Sequence, residues 1–164
     1  MESVKISSEL MSLLNAALSR ELEVSVQYML QHTMWAGKTS ISESEQKLSK
    51  PDKFVASHKL FFLPGITLKR IAITEMRHAE KIGERIIVLG GKIDEEVPSS
   101  TLGASIREIL EIDMDQEKAA IELYKRIIEL ATKEGDDITA EIFKNILKDE
   151  ERHHKTFSSL LEIT

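Results

Sequence analysis

Four stretches of the chain repeat apolar residues with the 3.6-residue period of an α-helix, and this pattern constrains the fold more than any other feature. We predict helices over residues 9–35, 66–89, 105–132 and 137–161. At 1.5 Å per residue such helices are about 35 to 42 Å long. Four long helices bury their apolar stripes most simply against one another, so the sequence predicts an all-α four-helix bundle that forms a single domain over residues 1–164.

The composition agrees with this fold and excludes several classes of protein. The chain has 7 Gly and 3 Pro against 41% hydrophobic and 30% charged residues, which suits long helices better than sheets. Cysteine is absent, so disulfides, thiol catalysis and thiolate-bound iron are excluded, and any metal must bind to His, Asp or Glu. The net charge of −6, without a basic block, argues against nucleic-acid binding.

The sequence also predicts where the protein works. No stretch approaches about 18 uninterrupted apolar residues, the length that spans a membrane. Residues 1–25 lack the basic start and apolar run of a secretion signal. We therefore expect a cytoplasmic protein without a membrane partner.

The connection between the first two helices is predicted to be long. Residues 36–64 are polar as far as Pro51, continue into an apolar patch and end at Pro64-Gly65, which is typical of a helix break. This patch packs on its own subunit or contacts a neighbouring one, and His58 within it is expected at the surface. The patch consists of Phe54, Val55, Leu60, Phe61, Phe62 and Leu63.

A glutamate lies at the centre of each apolar stripe when the helices are projected at 100° per residue. These residues are Glu21, Glu75, Glu117 and Glu150. An isolated ionised carboxylate in a dry core is very costly, so four converging ones must take up protons or bind a strongly positive ligand. A pair of divalent cations would supply that charge.

Two of these glutamates are followed three residues later by a histidine. His78 follows Glu75 and His153 follows Glu150, and residues at this spacing share one face of a helix. Two glutamates plus two E-x-x-H motifs is the pattern of a dinuclear carboxylate site in a helix bundle. A third match begins at Glu151, about 100° from the centre of its stripe, and is less suited. The alternative interpretation is a set of paired polar core residues without metal.

The same residues recur as an internal repeat. The first and third predicted helices carry E-x6-Y, as Glu21 with Tyr28 and Glu117 with Tyr124, while the other two carry E-x-x-H. The chain is thus two copies of one helical hairpin. The spacing from Glu21 to Glu75 is 54 residues, whereas the equivalent spacing in the second hairpin is 33, which again indicates extra residues within 36–64.

The stretches SRELEVSVQYMLQH, ITEMRHAEKIGERI, DQEKAAIELY and LKDEERHH resemble the ferritin-like superfamily, most closely bacterioferritin. The resemblance covers nearly all of residues 8–160 apart from the first connection. It implies a di-iron ferroxidase centre inside one subunit. The implied ligands are Glu21 and Glu117 as terminal carboxylates, Glu75 and Glu150 as bridging carboxylates, and His78 and His153 as nitrogen ligands. Tyr28 falls at the family's motif tyrosine beside the centre, although its spacing of seven residues from Glu21 fits an ordinary core aromatic equally well.

Met76 bears on a second cofactor. It directly follows Glu75, the position at which the resemblance implies an axial ligand of a haem b shared across a two-fold subunit interface. Met76 projects about 100° away from Glu75 and off the bundle core. The alternative is a methionine that fills a dimer interface without haem.

The chain departs from bacterioferritin at its end. It stops 11 residues after His153, before the position of the family's fifth helix. We expect a homo-oligomer built from dimers, and the missing fifth helix favours a dimer or a twelve-subunit shell over a 24-subunit shell.

The implied function is oxidation of Fe(II) by O2 or H2O2 for iron storage or detoxification. Carboxylate and imidazole ligands suit iron and also manganese. The alternatives are a rubrerythrin-like peroxide-reducing protein without a rubredoxin domain, a Dps-like mini-ferritin, and a metal-free helical interaction module.

Three further polar residues lie near the expected centre. His32 is about 16 Å from Glu21 along the helix axis, too far to bind the same metals. Asp113, one turn before Glu117, is either a transient iron site or a solvated carboxylate. Asp149 or Asp113 is expected to bind the outer nitrogen of a ligand histidine.

Overall fold

The computed structural model describes residues 6–46, 54–94 and 99–162, without the side chains of residues 36–64. Four helices account for most of these residues, and the described ranges contain no strand. The helices are α1 (Ser8–Gln46), α2 (Phe54–Val88), α3 (Ile106–Glu134) and α4 (Asp137–Leu161). The predicted all-α four-helix fold is confirmed. In the described part of the chain, no helix is long and apolar enough to cross a membrane.

The helices form two hairpins, α1 with α2 and α3 with α4, which pack through α1 against α3 and α2 against α4. Tyr28 of α1 contacts Glu117 of α3, and Tyr124 of α3 contacts Glu21 of α1, so α1 and α3 are antiparallel. Because α2 and α3 therefore run in the same direction, the segment between them must return along the length of the bundle.

This returning segment is bonded to α1. The Asn15 side chain donates to the carbonyl of Lys92 at 3.1 Å and accepts from the backbone N–H of Asp94 at 3.0 Å. Farther along, the backbone N–H of Thr101 donates to Gln27 Oε1 at 3.3 Å. Side-chain bonds thus satisfy backbone groups of residues 92, 94 and 101, which lie outside the helices.

Local sequence signals set the ends of α3 and α4. Ser105 accepts from the backbone N–H of Glu108 at the start of α3, and Gly135 ends it with φ of 76°. Asp136 caps α4 by accepting from the backbone N–H of Thr139. At the start of α1, the Ser7 side chain accepts from the backbone N–H of Leu10 at 3.1 Å and caps the helix.

The prediction of a long connection over residues 36–64 between the first two helices is wrong. Helix α1 continues to Gln46, and α2 begins at Phe54 and runs through Pro64. Gly65 is buried against α1, where an added Cβ would lie 3.2 Å from Trp35 Cδ1. The glycine therefore allows close helix packing instead of ending a helix. The proposed apolar patch and His58 lie among the residues whose side chains are not described.

Two apolar clusters fill the bundle on either side of a polar layer. The larger cluster includes Leu14, Ile82 and Phe143, and the smaller one includes Leu68 and Phe157. The polar layer lies between them and holds the glutamates predicted at the stripe centres. The fold thus encloses this layer in apolar side chains, away from bulk water.

Candidate metal centre

The polar layer consists of side chains from all four helices. The four glutamates are 0% exposed, and the two histidines are nearly as well buried. Helices α1 and α3 each contribute one glutamate, while α2 and α4 each contribute one E-x-x-H motif. The structure thus brings together all six residues that the sequence analysis singled out as ligands: Glu21, Glu75, His78, Glu117, Glu150 and His153.

These six side chains form two overlapping groups of potential metal ligands. Within each group, one ligand atom per residue lies within 4.8 Å of all the others. Glu75 and Glu150 belong to both groups, which suits carboxylates that bridge two cations. The groups are Glu21, Glu75, His78 and Glu150, and Glu75, Glu117, Glu150 and His153.

His78 turns one ring nitrogen to the centre and the other away from it. Its Nδ1 lies 2.9 Å from Glu75 Oε2 and 3.1 Å from Glu150 Oε1. Its Nε2 lies 3.2 Å from Asp149 Oδ2 on α4, which is one of the two partners that the sequence analysis offered. A carboxylate on the outer nitrogen fixes the ring orientation and directs the inner nitrogen toward a metal.

His153 also turns its Nδ1 toward the glutamates. Its Nδ1 lies 2.8 Å from Glu75 Oε1 and 3.8 Å from Glu117 Oε2. The rings of His78 and His153 are stacked with their centroids 6.4 Å apart. Each histidine therefore serves one of the two ligand groups.

Two tyrosines orient the outer carboxylates. Tyr28 Oη donates to Glu117 Oε1 at 2.5 Å, and Tyr124 Oη donates to Glu21 Oε1. Burial raises the pKa of both phenols well above 10, so they remain protonated donors. Of the two tyrosines, only Tyr28 is predicted as a site residue from the sequence, although the E-x6-Y repeat contains the signal for Tyr124 as well.

Burial and mutual contacts shift the pKa values of the glutamates and histidines in the metal-free centre. Burial, together with the charge of Glu75, raises the pKa of Glu21 to about 7, and burial also raises the pKa of Glu150. Burial alone would raise the pKa of Glu75, but contacts with His153 and His78 outweigh it and lower that pKa to about 2. For His153, burial alone would lower the pKa, but contacts with Glu117 and Glu75 outweigh it and raise that pKa to about 9.

Many of the inward atoms lack a hydrogen bond of normal geometry among the described residues. They are both carboxylate oxygens of Glu75 and Glu150, one of Glu21, one of Glu117, and Nδ1 of both histidines. Buried polar atoms are normally paired, so eight such atoms converging on one place point to a missing partner. Oxygen and imidazole donors in this arrangement fit divalent cations.

Comparison with known proteins shows the family to which the chain belongs. Residues 67–164 match the family described as a ferritin-like domain. The bacterioferritin of Mycolicibacterium paratuberculosis is 30% identical over 159 residues, which cover 94% of this chain and 85% of that protein. The chain belongs to the bacterioferritin family.

Two further bacterioferritins support this assignment. That of Desulfovibrio desulfuricans is 40% identical over 87 residues, which span 52% of this chain and about half (49%) of the relative's length. The solved structure of Mycobacterium tuberculosis bacterioferritin matches with a TM-score of 0.76 and 25% identity, covering 96% of this chain and 86% of that one. The resemblance seen in the sequence, and the ferritin-like bundle it implied, are confirmed.

Beside the six clustered residues of this bacterioferritin-family chain lies a buried cation that the sequence analysis missed. Arg20 Nη1 is 3.7 Å from Glu21 Oε1 and 3.9 Å from Glu150 Oε2. Its Nη2 donates to the carbonyl oxygen of Gln116 at 2.5 Å. Arg20 is adjacent to Glu21 in sequence and projects about 100° off the stripe centre. No periodicity signal could therefore have placed its long side chain at the site.

Asp113 has a different environment from the one expected. It is fully buried, so the interpretation as a solvated carboxylate is wrong. Its Oδ1 accepts from Gln27 Nε2 at 3.0 Å and from Gln31 Nε2 at 2.9 Å. Burial raises its pKa to about 7, even though the two amide donors lower it.

His32 contacts the carbonyl oxygen of Gly65 through Nδ1 at 2.8 Å.

Met76 lies on the outer face of the first hairpin. It is 49% exposed and borders an open apolar groove of ≈ 380 Å³ between α1 and α2. The groove is lined by Val26, Leu30, Ala72 and Ile73, among others. The thioether of Met76 is therefore accessible from outside the bundle, as its position off the apolar stripe predicted.

Proposed function

We propose that this chain binds two iron ions in the polar layer and oxidises Fe(II) to Fe(III) with O2 or H2O2, as an iron-storage or iron-detoxification protein. The observation that carries the proposal is the convergence of buried, unpaired ligand atoms in two overlapping groups. Membership of the bacterioferritin family supports the iron chemistry. The donor set also suits manganese, so metal identity is part of the test.

Within this proposal each ligand has a role that follows from its contacts. Glu75 and Glu150 would contact both ions, because both belong to each ligand group. Glu21 and Glu117 would each contact one ion. His78 and His153 bind through Nδ1, the nitrogen of each ring that faces the glutamates. Four carboxylates then balance the charge of two divalent ions.

The chain's own residues prepare this site. Asp149 holds the His78 ring, and the phenols of Tyr28 and Tyr124 hold the outer carboxylates. The apolar clusters above and below the layer keep bulk water out, which strengthens electrostatic interactions inside. When bound, the two ions supply the electrons that reduce the oxidant, while the protein positions and tunes them.

Replacement of the bridging carboxylates tests the proposal. We expect Glu75→Ala/Glu150→Ala to lose rapid Fe(II) oxidation, measured by stopped-flow absorbance of Fe(III), while circular dichroism shows a helical protein. The matched control is Glu151→Ala, which removes an exposed glutamate from the same helix. If the alanine variant does not fold, Glu75→Gln/Glu150→Gln retains the side-chain volume. Undiminished oxidation in a folded double variant contradicts the site.

We further infer that the chain associates through the groove face and binds haem b at Met76. An exposed thioether beside an apolar groove fits one axial ligand of a haem shared by two subunits. The assembly is a dimer or a shell of 12 or 24 subunits built from that dimer. A Soret band that is present in the haem-loaded protein and lost in Met76→Ala supports the assignment. An unchanged Soret band in this variant contradicts it.

A further inference from the structure

Arg20 is a buried cation with little hydrogen bonding of its own. It is 9% exposed, and its one hydrogen bond to the described residues runs from Nη2 to the carbonyl oxygen of Gln116. Its Nε and Nη1 are buried and have no hydrogen-bond partner among the described residues. Unpaired guanidinium donors in a core are costly, so a partner is expected there.

The carboxylates do not satisfy these donors. Nη1 lies 3.7 Å from Glu21 Oε1 and 3.9 Å from Glu150 Oε2, beyond the range of a hydrogen bond. If Arg20 were only a counter-ion for the glutamates, direct bonds to their oxygens would be the favoured geometry. The guanidinium instead lies at the edge of the centre with its Nη1 side facing the two carboxylates.

Charge balance indicates what is missing, and this step rests on the proposed two-metal centre. Two divalent ions balance the four glutamates, with both histidines neutral as ligands. Asp149, which contacts His78, is itself paired with Arg152 and does not change this balance. Arg20 then leaves the loaded centre with one surplus positive charge, and oxidation of both ions adds two more. A surplus charge in a water-poor core is unfavourable unless an anion accompanies it.

We propose that Arg20 makes the metal-loaded centre a binding site for a small inorganic oxyanion of the phosphate class. The unpaired Nε–H and Nη1–H groups donate charge-assisted hydrogen bonds to the anion. A guanidinium group is well suited to bind oxyanions, because its donors match their geometry. The anion enters on the side of Glu21 and Glu150, where Nη1 lies. Arg20 is thus a specificity-determining residue for a co-ligand of the centre.

A phosphate titration of Co²⁺-loaded full-length protein tests this without oxidation of the metal. Unbound Co²⁺ is removed, and phosphate binding is followed by the visible absorption of bound Co²⁺. We expect Arg20→Gln to weaken phosphate binding at least about tenfold, or about 1.4 kcal/mol. Arg20→Lys should retain part of the affinity because the charge remains. Arg126→Gln, which removes an exposed arginine on α3, is the matched control and should bind like the wild type.

The outcomes separate the two proposals. If Co²⁺ does not bind in the polar layer of the wild-type protein, the two-metal centre itself is wrong. If Co²⁺ binds normally but phosphate affinity is the same with and without Arg20, the anion site is wrong. Equal phosphate binding by metal-free and Co²⁺-loaded protein also overturns it. If Arg20→Gln does not fold, the lysine variant decides, because unchanged affinity there is incompatible with specific guanidinium contacts.

Discussion

At the scale of single residues, the centre depends on side chains that fix the direction of a ligand. His78 is held between Asp149 on one nitrogen and the glutamates on the other. Glu21 and Glu117 are held by tyrosines from the opposite helix of the α1 and α3 pair. A site built this way retains its geometry before metal arrives, so metal binding needs little rearrangement.

We expect Asp149→Ala to weaken Co²⁺ binding about 10- to 100-fold, because His78 loses the partner of its outer nitrogen. Competition with a metal chelator at fixed pH measures the change. Glu151→Ala removes a nearby exposed carboxylate of α4 and controls for general loss of negative charge. Equal weakening in both variants would mean that only overall charge matters.

Asp113 should make the metal-free protein less stable as pH rises. Its folded-state pKa is about 7, against 3.8 as the ordinary value, so the folded protein holds a proton that the unfolded chain has released. The free energy of unfolding therefore falls between about pH 4 and pH 7 and then levels. The free energy of unfolding of Asp113→Asn, relative to that of the wild type, should therefore increase by about 3 kcal/mol between pH 5 and pH 8.

Urea unfolding of chelator-treated protein at the two pH values measures this gain. Both proteins are compared at one concentration, because association also changes apparent stability. A wild-type to variant difference that does not depend on pH contradicts the buried, protonated state of Asp113.

The residues of the centre were predictable in part. Four of the six proposed ligands are the glutamates at the stripe centres, and the two histidines follow glutamates by three residues. Periodicity and spacing within one helix are therefore enough to find all six. Arg20 and the Gln27–Asp113 contact depend on which helix faces which and on how far a long side chain reaches. Those distances are properties of the packed bundle and are not encoded in any local pattern.

At the scale of elements, two glycines with positive φ have different surroundings. Gly135 ends α3 with φ of 76° and has open space where a Cβ would be. Gly103 precedes α3 with φ of 69°, and a Cβ there would lie 3.0 Å from the backbone nitrogen of Ile109. Backbone atoms cannot move aside as the end of a flexible side chain can.

We expect Gly135→Ala to lower the free energy of unfolding by about 1 kcal/mol, the cost of a left-handed conformation with a side chain. Gly103→Ala should cost more than this, because it adds a backbone clash to the same conformational penalty. Urea unfolding of the metal-free variants compares them. A smaller loss for Gly103→Ala than for Gly135→Ala contradicts the described start of α3.

The same contrast explains why some helix termini could be predicted from the sequence and others could not. Ser105 and Gly135 act within one turn of their own helix, so the ends of α3 follow from local signals. Gly65 acts through Trp35 on another helix, and sequence reasoning took it for a break. A glycine required by packing and a glycine required by a turn look alike until the neighbouring helix is known.

At the scale of the whole molecule, the outer face of the first hairpin exposes several apolar side chains beside the groove. They are Val26, Leu30, Met34, Ile66, Ile73 and Met76. Exposed apolar patches of this kind often mark contact surfaces between subunits. The proposed dimer would cover this face and place two copies of Met76 near one another.

We expect Ile73→Glu to reduce the mass of the particle, because it places a charge at the proposed interface. Multi-angle light scattering after size-exclusion chromatography measures the mass. Ile138→Glu is the matched control, since Ile138 is an isoleucine on the second hairpin that is at least as exposed as Ile73. An unchanged particle mass in Ile73→Glu, or a wild-type protein that is monomeric, contradicts the proposed interface.

The most direct test of the two-metal centre is metal stoichiometry after anaerobic loading with Fe(II) and removal of unbound metal. Elemental analysis of the protein peak should give two iron ions per chain in the wild type and a clear loss in Glu75→Ala/Glu150→Ala. No bound iron in the wild-type protein, or two ions per chain retained by a folded double variant, would contradict the account and favour a helical protein whose buried glutamates serve another purpose.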